Sequence, residues 1–440
     1  MATETLPLEL QHNLPSTRWS LASRIVFRFC FVYFGLYCLF NQIITALIPV
    51  TADIPDPSTL WPMCPIVLWT AAHIFRVTKP LVYTGSGSGD KTFDWVLSFC
   101  LLVIAVVAAA IWSVVDSKRK NYIAVAKWFR MFIRIALAGQ MFVYGTSKAV
   151  PVQMPFPLLR QLIQPYGNFS PMGILWSFVG TSRAYEIFTG CAEILSGVLL
   201  IVPRTAMLGA LICLADMTQV LMLNMAYDTP VKLFSFHLIL ISVFLLAPDA
   251  RRLVDFFALG REPKPSAEPS LFRSRRANHV ALILQVAFGV LLLGVNFYGA
   301  RTNWYLYGGG APKSALYGIW DVRELSIDGQ IRSPLLNDYD RWRRVIFEWP
   351  TLVYFERMDD TFVRFASSIN VTDKTVGLTK STDKDWKANF TFQRPAPNEL
   401  TLDGDMNGHK THMQLELVDH SKFVLTNRGF HWISEYPFNR

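Results

Sequence analysis

Two neighbouring stretches decide the fold: residues 279–299, HVALILQVAFGVLLLGVNFYG, and residues 316–327, LYGIWDVRELSI. The first has no Asp, Glu, Lys or Arg over about 20 residues, the length an α-helix needs to cross a hydrocarbon core. The second turns to alternation and ends on Asp328-Gly329, a hairpin signal. The chain therefore changes character between residues 300 and 316. Toward the N-terminus lie six more long apolar runs, at roughly 22–48, 93–115, 126–149, 183–202, 205–226 and 231–247. A shorter apolar piece, 61–76, follows Pro62, carries His73 and Arg76, and fits an interfacial helix. Toward the C-terminus the alternation continues in short runs at 343–348, 351–357, 361–371, 375–380, 386–393, 399–403, 410–418, 421–427 and 430–435. Asp359-Asp360 and Asp403-Gly404 break it as further turn signals.

Composition agrees. The 440 residues are 52% hydrophobic and only 17% charged, against about 25% in soluble domains. Mean hydropathy is +0.28. These values exclude a disordered chain. The expected fold is an integral membrane, all-α bundle of about seven transmembrane helices over 1–300, followed by an extracytoplasmic antiparallel β-barrel or sandwich over 313–440. Gly318-Ile319-Trp320 resembles the opening of lipocalins, and Arg428 is the expected late arginine packed over that tryptophan. An unrelated meander with a buried tryptophan fits the same residues.

The net charge of +9 would suit nucleic acid, but the basic residues gather in loops between spans. Lys118, Arg119, Lys120 and Lys127 follow the second span. Arg251, Arg252, Arg261, Lys264, Arg273, Arg275 and Arg276 follow the sixth. The positive-inside rule puts both loops in the cytoplasm. The N-terminus is then inside and the β domain outside a cell membrane, a bacterial inner membrane being expected. No nucleic-acid partner is implied; membrane lipid is.

Polar residues within the spans are functional candidates, because a charge at bilayer depth costs at least ~2.5 kcal/mol. The third span carries Arg130, Arg134, Gln140, Tyr144 and Lys148 within one stripe of about 120°. Glu186, Gly190, Glu193 and Gly197 share a face of the fourth. Asp216 and Asn224 lie on the fifth span, Lys232 and His237 on the sixth. The carboxylates need cationic partners, and Lys148 is placed to pair with Glu186, with Glu193 deeper as the proton-holding group. Gln153, in the Pro-rich loop 150–181, is expected to cover the pocket. A hydrogen-bond network that only ties helices together fits the same residues. One histidine well inside a span does not suit bis-histidine haem. No CxxC, HExxH, GxGxxG, GxSxG or Walker A pattern occurs, so no haem, flavin, iron–sulfur, nucleotide or metal site is expected.

Arg134, the run Tyr144-Gly145-Thr146-Ser147-Lys148 with Pro151, the series Glu186, Gly190, Glu193 and Gly197, and Arg204 resemble the DoxX-like membrane family. Residues 153–157, 164–181 and 228–248 look like a larger bacterial DoxX-related group with extra helices and a polar tail. The resemblance implies a four-helix core over about 126–247 and a link to quinone-dependent oxidoreductases. A remoter likeness is to vitamin K-dependent gamma-carboxylases, which join a helical bundle to an outer β domain. Three functions are compatible. One is a quinone-linked redox component, with Lys148, Glu186, Glu193 and His237 as catalytic candidates. Arg134, Gln140, Tyr144, Gln153, Asp216, Asn224 and Lys232 are then ligand-binding candidates, and a redox or extracytoplasmic protein is the partner. The second is a carrier of a hydrophobic small molecule between membrane and barrel. The third is an assembly factor without catalysis.

Overall fold

A computed structural model describes residues 18–51, 54–262 and 270–439. Lys264 and residues 1–17 lie outside the described residues. The chain falls into two compact units: residues up to Val150 with Ile187–Ala300, and Pro151–Glu186 with Arg301–Arg440. The β domain therefore takes in the Pro-rich segment 151–186, which the sequence had grouped with the helices.

The first unit is helical. Its elements are α1 (Leu21–Leu39), α2 (Gln42–Thr45), α3 (Met63–His73), α4 (Thr92–Val115) and α5 (Ile123–Ala149). In the second unit α6 (Leu159–Ile163) and α7 (Pro171–Thr181) follow. The chain then continues through α8 (Arg183–Ile201), α9 (Ala206–Ala226), α10 (Lys232–Leu246), α11 (Ala250–Phe257) and α12 (Arg275–Leu306). Among the described residues six helices are long and apolar enough to cross a membrane: α1, α4, α8, α9, α12 and the run Lys232–Phe257. The third expected span is not among them. It forms the 27-residue α5, in which Ala136 through Phe142 are buried without a gap. Seven consecutive residues point all the way round a helix, so this middle stretch of α5 is enclosed by its neighbours and its polar groups need not meet lipid.

Polar ties fix the bundle. The Ser20 hydroxyl caps α1 by accepting from the Ser23 amide at 3.0 Å. Arg28, 1% exposed, donates to the Tyr122 hydroxyl at 2.9 Å, to Ser113 Oγ at 2.8 Å and to the Asp116 carbonyl at 2.9 Å. The guanidinium thus joins α1 to the end of α4. Between α5 and α8 the backbones touch. A Cβ on Gly190 would lie 2.5 Å from the Ala149 amide nitrogen, and one on Gly145 2.9 Å from the Gly190 carbonyl oxygen. Only glycine permits that approach. The piece at 63–73 packs its buried Cys64, Val67 and Ala71 into the same hydrophobic core as α4.

In the second unit eight strands close into an up-and-down antiparallel barrel. They are β1 (Gly318–Ile327), β3 (Trp342–Trp349), β4 (Leu352–Arg357), β5 (Phe362–Asn370), β6 (Thr375–Lys380), β7 (Asp383–Gln393), β8 (Glu399–Met406) and β9 (His409–Leu417), with β9 pairing back onto β1. The two-residue β2 (Gln330–Ile331) is the return of the Asp328-Gly329 hairpin, where both residues have positive φ. Asp403-Gly404, expected as a turn, lies inside β8. A Cβ on Gly404 would sit 2.0 Å from the Asn389 carbonyl oxygen, so this glycine serves strand approach. The turn is Asn407-Gly408, with φ of 54° and 84°. The expected strands at 421–427 and 430–435 are absent. Closure of β9 on β1 leaves no edge for them, and 424–427 forms the short helix α13 (Val424–Asn427) instead.

The barrel interior is filled. Trp342, Phe355, Phe365 and Trp386 form a run of ring contacts at 5.0, 5.1 and 4.4 Å. Trp320 is fully buried and its indole N–H donates to the Leu316 carbonyl at 2.9 Å. The arginine over its ring is Arg394, 5.6 Å from the centroid. Arg428, the sequence candidate, instead lies 4.4 Å from Phe438. Outside the barrel, Leu159 of α6 packs with Ile319 and Ile346, and its amide donates to the buried Glu348 carboxylate at 2.8 Å. Burial pushes the Glu348 carboxyl above the usual range, and the Leu159 and Arg160 amides pull it part of the way back.

Candidate functional site

The polar stripe of α5 meets α8 at one buried pair. The Lys148 ammonium donates to Glu193 Oε1, with Lys148 7% and Glu193 1% exposed. Gly190 and Gly145 make this pairing possible, because their contact brings the two helices within reach at this level. Lys148 was expected to pair with Glu186. Glu186 is buried too, but it accepts from the Met154 amide at 3.0 Å and anchors the 151–156 loop. The deeper carboxylate therefore takes the lysine. A flexible four-carbon stem extends its ammonium several ångströms along the helix from its Cα, so depth of the Cα was a poor guide.

Around the pair lies a file of hydrogen-bonding groups. Gln42 of α2 donates to the Tyr144 hydroxyl at 2.8 Å and to Gln140 Oε1 at 3.4 Å. The Tyr144 ring is 5.8 Å from the Lys148 ammonium. Asp216 of α9 lies within electrostatic reach of both Glu193 and Lys148. Two carboxylate oxygens in this cluster, Glu193 Oε2 and Asp216 Oδ2, are buried and have no hydrogen-bond partner among the described residues. A buried polar atom without a partner is costly. These two mark where a ligand atom, a water or a proton would be accommodated.

His237 belongs to a second cluster. Its Nδ1 faces the Leu233 carbonyl at 2.7 Å, which only accepts, so Nδ1 carries the proton. In the neutral ring Nε2 then accepts from the Tyr33 hydroxyl at 2.7 Å. The Tyr37 ring stacks on the imidazole at 3.9 Å between centroids.

The remaining candidates are dispersed. Asn224 donates to Ser235 Oγ at 3.2 Å and ties α9 to α10. Lys232 pairs with Asp228 at 2.8 Å at the start of α10, where Asp90 accepts from the Lys232 and Leu233 amides at 2.9 Å each. Lys232 is thus part of a helix cap. The Gln153 carbonyl accepts from the Trp176 indole at 3.0 Å within the second unit. Arg134 donates to Gln285 of α12. It is 14 residues from Lys148, or about 21 Å along α5, so it does not share the site of the Lys148–Glu193 pair. Sequence reading missed Gln42, Tyr33 and Tyr37. Their signal was present as polar groups inside the first apolar run, and an aromatic hydroxyl is easily passed over in such a run.

Fold and cluster together define a multi-helix protein with six membrane-capable helices, a closed β-barrel and a lysine–glutamate pair buried in the bundle. The chain belongs to the family of "Uncharacterized protein YwoB" of Bacillus subtilis (strain 168), with which it is 34% identical over 143 residues, 30% of this chain and 85% of that protein. No family model matches the chain, and no solved structure matches it.

Proposed function

We propose that the protein is a DoxX-like, quinone-linked redox component of a cell membrane, with the quinone head group held at Lys148, Tyr144, Glu193 and Asp216. The observation that carries this reading is the buried Lys148–Glu193 pair, with buried carboxylate oxygens on Glu193 and Asp216 that have no hydrogen-bond partner among the described residues. The donor set fits such a head group. Lys148 and Tyr144 can donate to a carbonyl oxygen, and Glu193 and Asp216 can hold protons away from bulk water. A bound quinone would supply two-electron chemistry, with electrons delivered by a redox partner protein or a reduced substrate. The chain's part is to bind the head group and move two protons.

Mass spectrometry of small molecules from protein purified in mild detergent tests the proposal. Quinone is expected with the parent and is expected to be lost from Lys148→Met combined with Glu193→Gln. Equal small-molecule content in both would favour the assembly-factor reading, which the tying roles of Asn224, Asp90 and Lys232 support. The carrier reading has the side-chain-filled barrel against it.

The same proposal places the N-terminus in the cytoplasm and the barrel outside, in a bacterial inner membrane; this takes seven crossings, the six apolar helices and the 27-residue α5 within the bundle. Both reporter positions, Gln330 and Glu262, are exposed. An impermeant thiol reagent should label Gln330→Cys in intact cells and Glu262→Cys only after permeabilisation. The reverse pattern overturns the orientation.

A further inference from the structure

A second site lies at the opposite end of α5 from Lys148. There a cavity of about 720 Å³ opens among the start of α5, the α8–α9 turn, the end of α10 and the start of α12. Its volume is within the range of small-molecule sites. Six cations line it: Lys127, Arg130, Arg134, Arg204, Arg252 and Arg275. Among the described residues Asp249 is the one carboxylate in the lining, and it is shared between Arg130 at 3.8 Å and Arg252 at 2.5 Å. The cavity is therefore strongly positive. Arg134 is 5% exposed and forms part of the deep wall, while Arg204 and Arg275 stand exposed at the rim. Met131, Met207 and Leu282 supply an apolar side.

The surroundings have the character of a membrane–water boundary. Helix α11 follows directly on Asp249 and is sharply two-faced, with Arg251 and Asp255 on one side. Val254 and Phe257 are 51% and 72% exposed on the other. A short helix of this kind suits the plane of a bilayer surface, which leaves 232–249 of the run Lys232–Phe257 as its crossing part. Trp128 and Phe272, both exposed, meet edge to face at 5.5 Å on the same rim, as interfacial aromatics do. The Lys127 ammonium donates to the Ser270 and Leu271 carbonyls and holds these two residues against α5.

We propose that this cavity binds a phosphate ester anion, with the headgroup of an anionic membrane phospholipid as its source. Guanidinium groups recognise phosphate oxygens in pairs, and basic pockets between membrane helices on the cytoplasmic side take such headgroups. The apolar wall suits the glycerol and upper acyl carbons. The site is independent of the quinone reading, being about 21 Å away along α5.

The test uses the full chain, delipidated in neutral detergent. Thermal stability and native mass spectra are followed on adding phosphatidylglycerol, phosphatidylcholine or inorganic diphosphate. Phosphatidylglycerol should raise the melting temperature and leave a bound adduct, and phosphatidylcholine should do neither at the same concentration. Arg204→Gln with Arg275→Gln should weaken phosphatidylglycerol retention roughly 25-fold, from about 1 kcal/mol per basic residue. Lys118→Gln with Lys120→Gln removes the same charge outside the cavity and should leave retention unchanged. Diphosphate stabilising the parent but not the Arg204/Arg275 variant, in the absence of lipid, would keep the anion site and assign it to a soluble phosphate ligand. Equal retention of the two lipids with no diphosphate effect would overturn the proposal. So would retention weakened equally by the Lys118/Lys120 control.

Discussion

Lys148→Met is expected to lower the stability of the helical unit by about 3–5 kcal/mol, because it strands the Glu193 carboxylate in the bundle without its ammonium. Glu193→Gln should cost a similar amount by stranding Lys148, which is 7% exposed. Combined, the two changes should recover most of the loss, since neither charge then remains. Thermal unfolding of the four proteins in mild detergent reads the cycle. Glu186→Gln makes the contrast. Its amide oxygen can still accept from the Met154 N–H, so it should cost less alone and should not rescue Lys148→Met. Single variants at 148 and 193 as stable as the parent would show that the pair contributes nothing. Rescue by Glu186→Gln would mean that Lys148 has its partner there instead.

The second large effect is in the barrel. Trp320→Ala should cost about 3–5 kcal/mol, the usual result of emptying a large core site. Trp320 is fully buried at the head of β1, where β1 meets both β3 and β9. Its loss should therefore loosen the closure strands first. Hydrogen exchange of segments 316–327 and 409–417 reads that loosening. Arg394→Ala, which removes the guanidinium over the Trp320 ring, should cost about 0.5–1 kcal/mol. Arg428→Ala should leave the exchange of β1 and β9 unchanged. A reversal of the last two would return the lid over Trp320 to Arg428.

How much of this was legible before the fold was known differs by element. The apolar runs at 93–115, 205–226 and 279–299 announced helices because a bilayer length of apolar residues leaves the backbone one economical solution. The strands from 316 to 418 were legible because alternation has a fixed period of 2. The strands expected after 420 failed because alternation does not say when a sheet has closed. Closure depends on β9 reaching β1, nearly a hundred residues apart. The Asp403-Gly404 turn failed for a related reason. A glycine needed for close backbone approach and one needed for positive φ look alike in a sequence, and the tertiary contact with Asn389 separates them.

For the candidate site, residue chemistry alone singled out Lys148, Glu193, Tyr144, Gln140 and Asp216, since polar groups inside apolar runs must find partners. Which of them meet was a matter of packing. The Gly145–Gly190 contact sets the level of α5 against α8, and that level gives Lys148 to Glu193 and leaves Glu186 to a loop amide. The same packing draws in Gln42 from the end of the first run, and it places His237 between Tyr33 and Tyr37. Local sequence determined the helices, the strands and the short roster of buried polar groups, because propensity, period and desolvation act residue by residue. Partner choice, barrel closure and the basic cavity at the far end of α5 were decided by the tertiary structure, because each is a contact between segments whose separation in the chain carries no information about their distance in space.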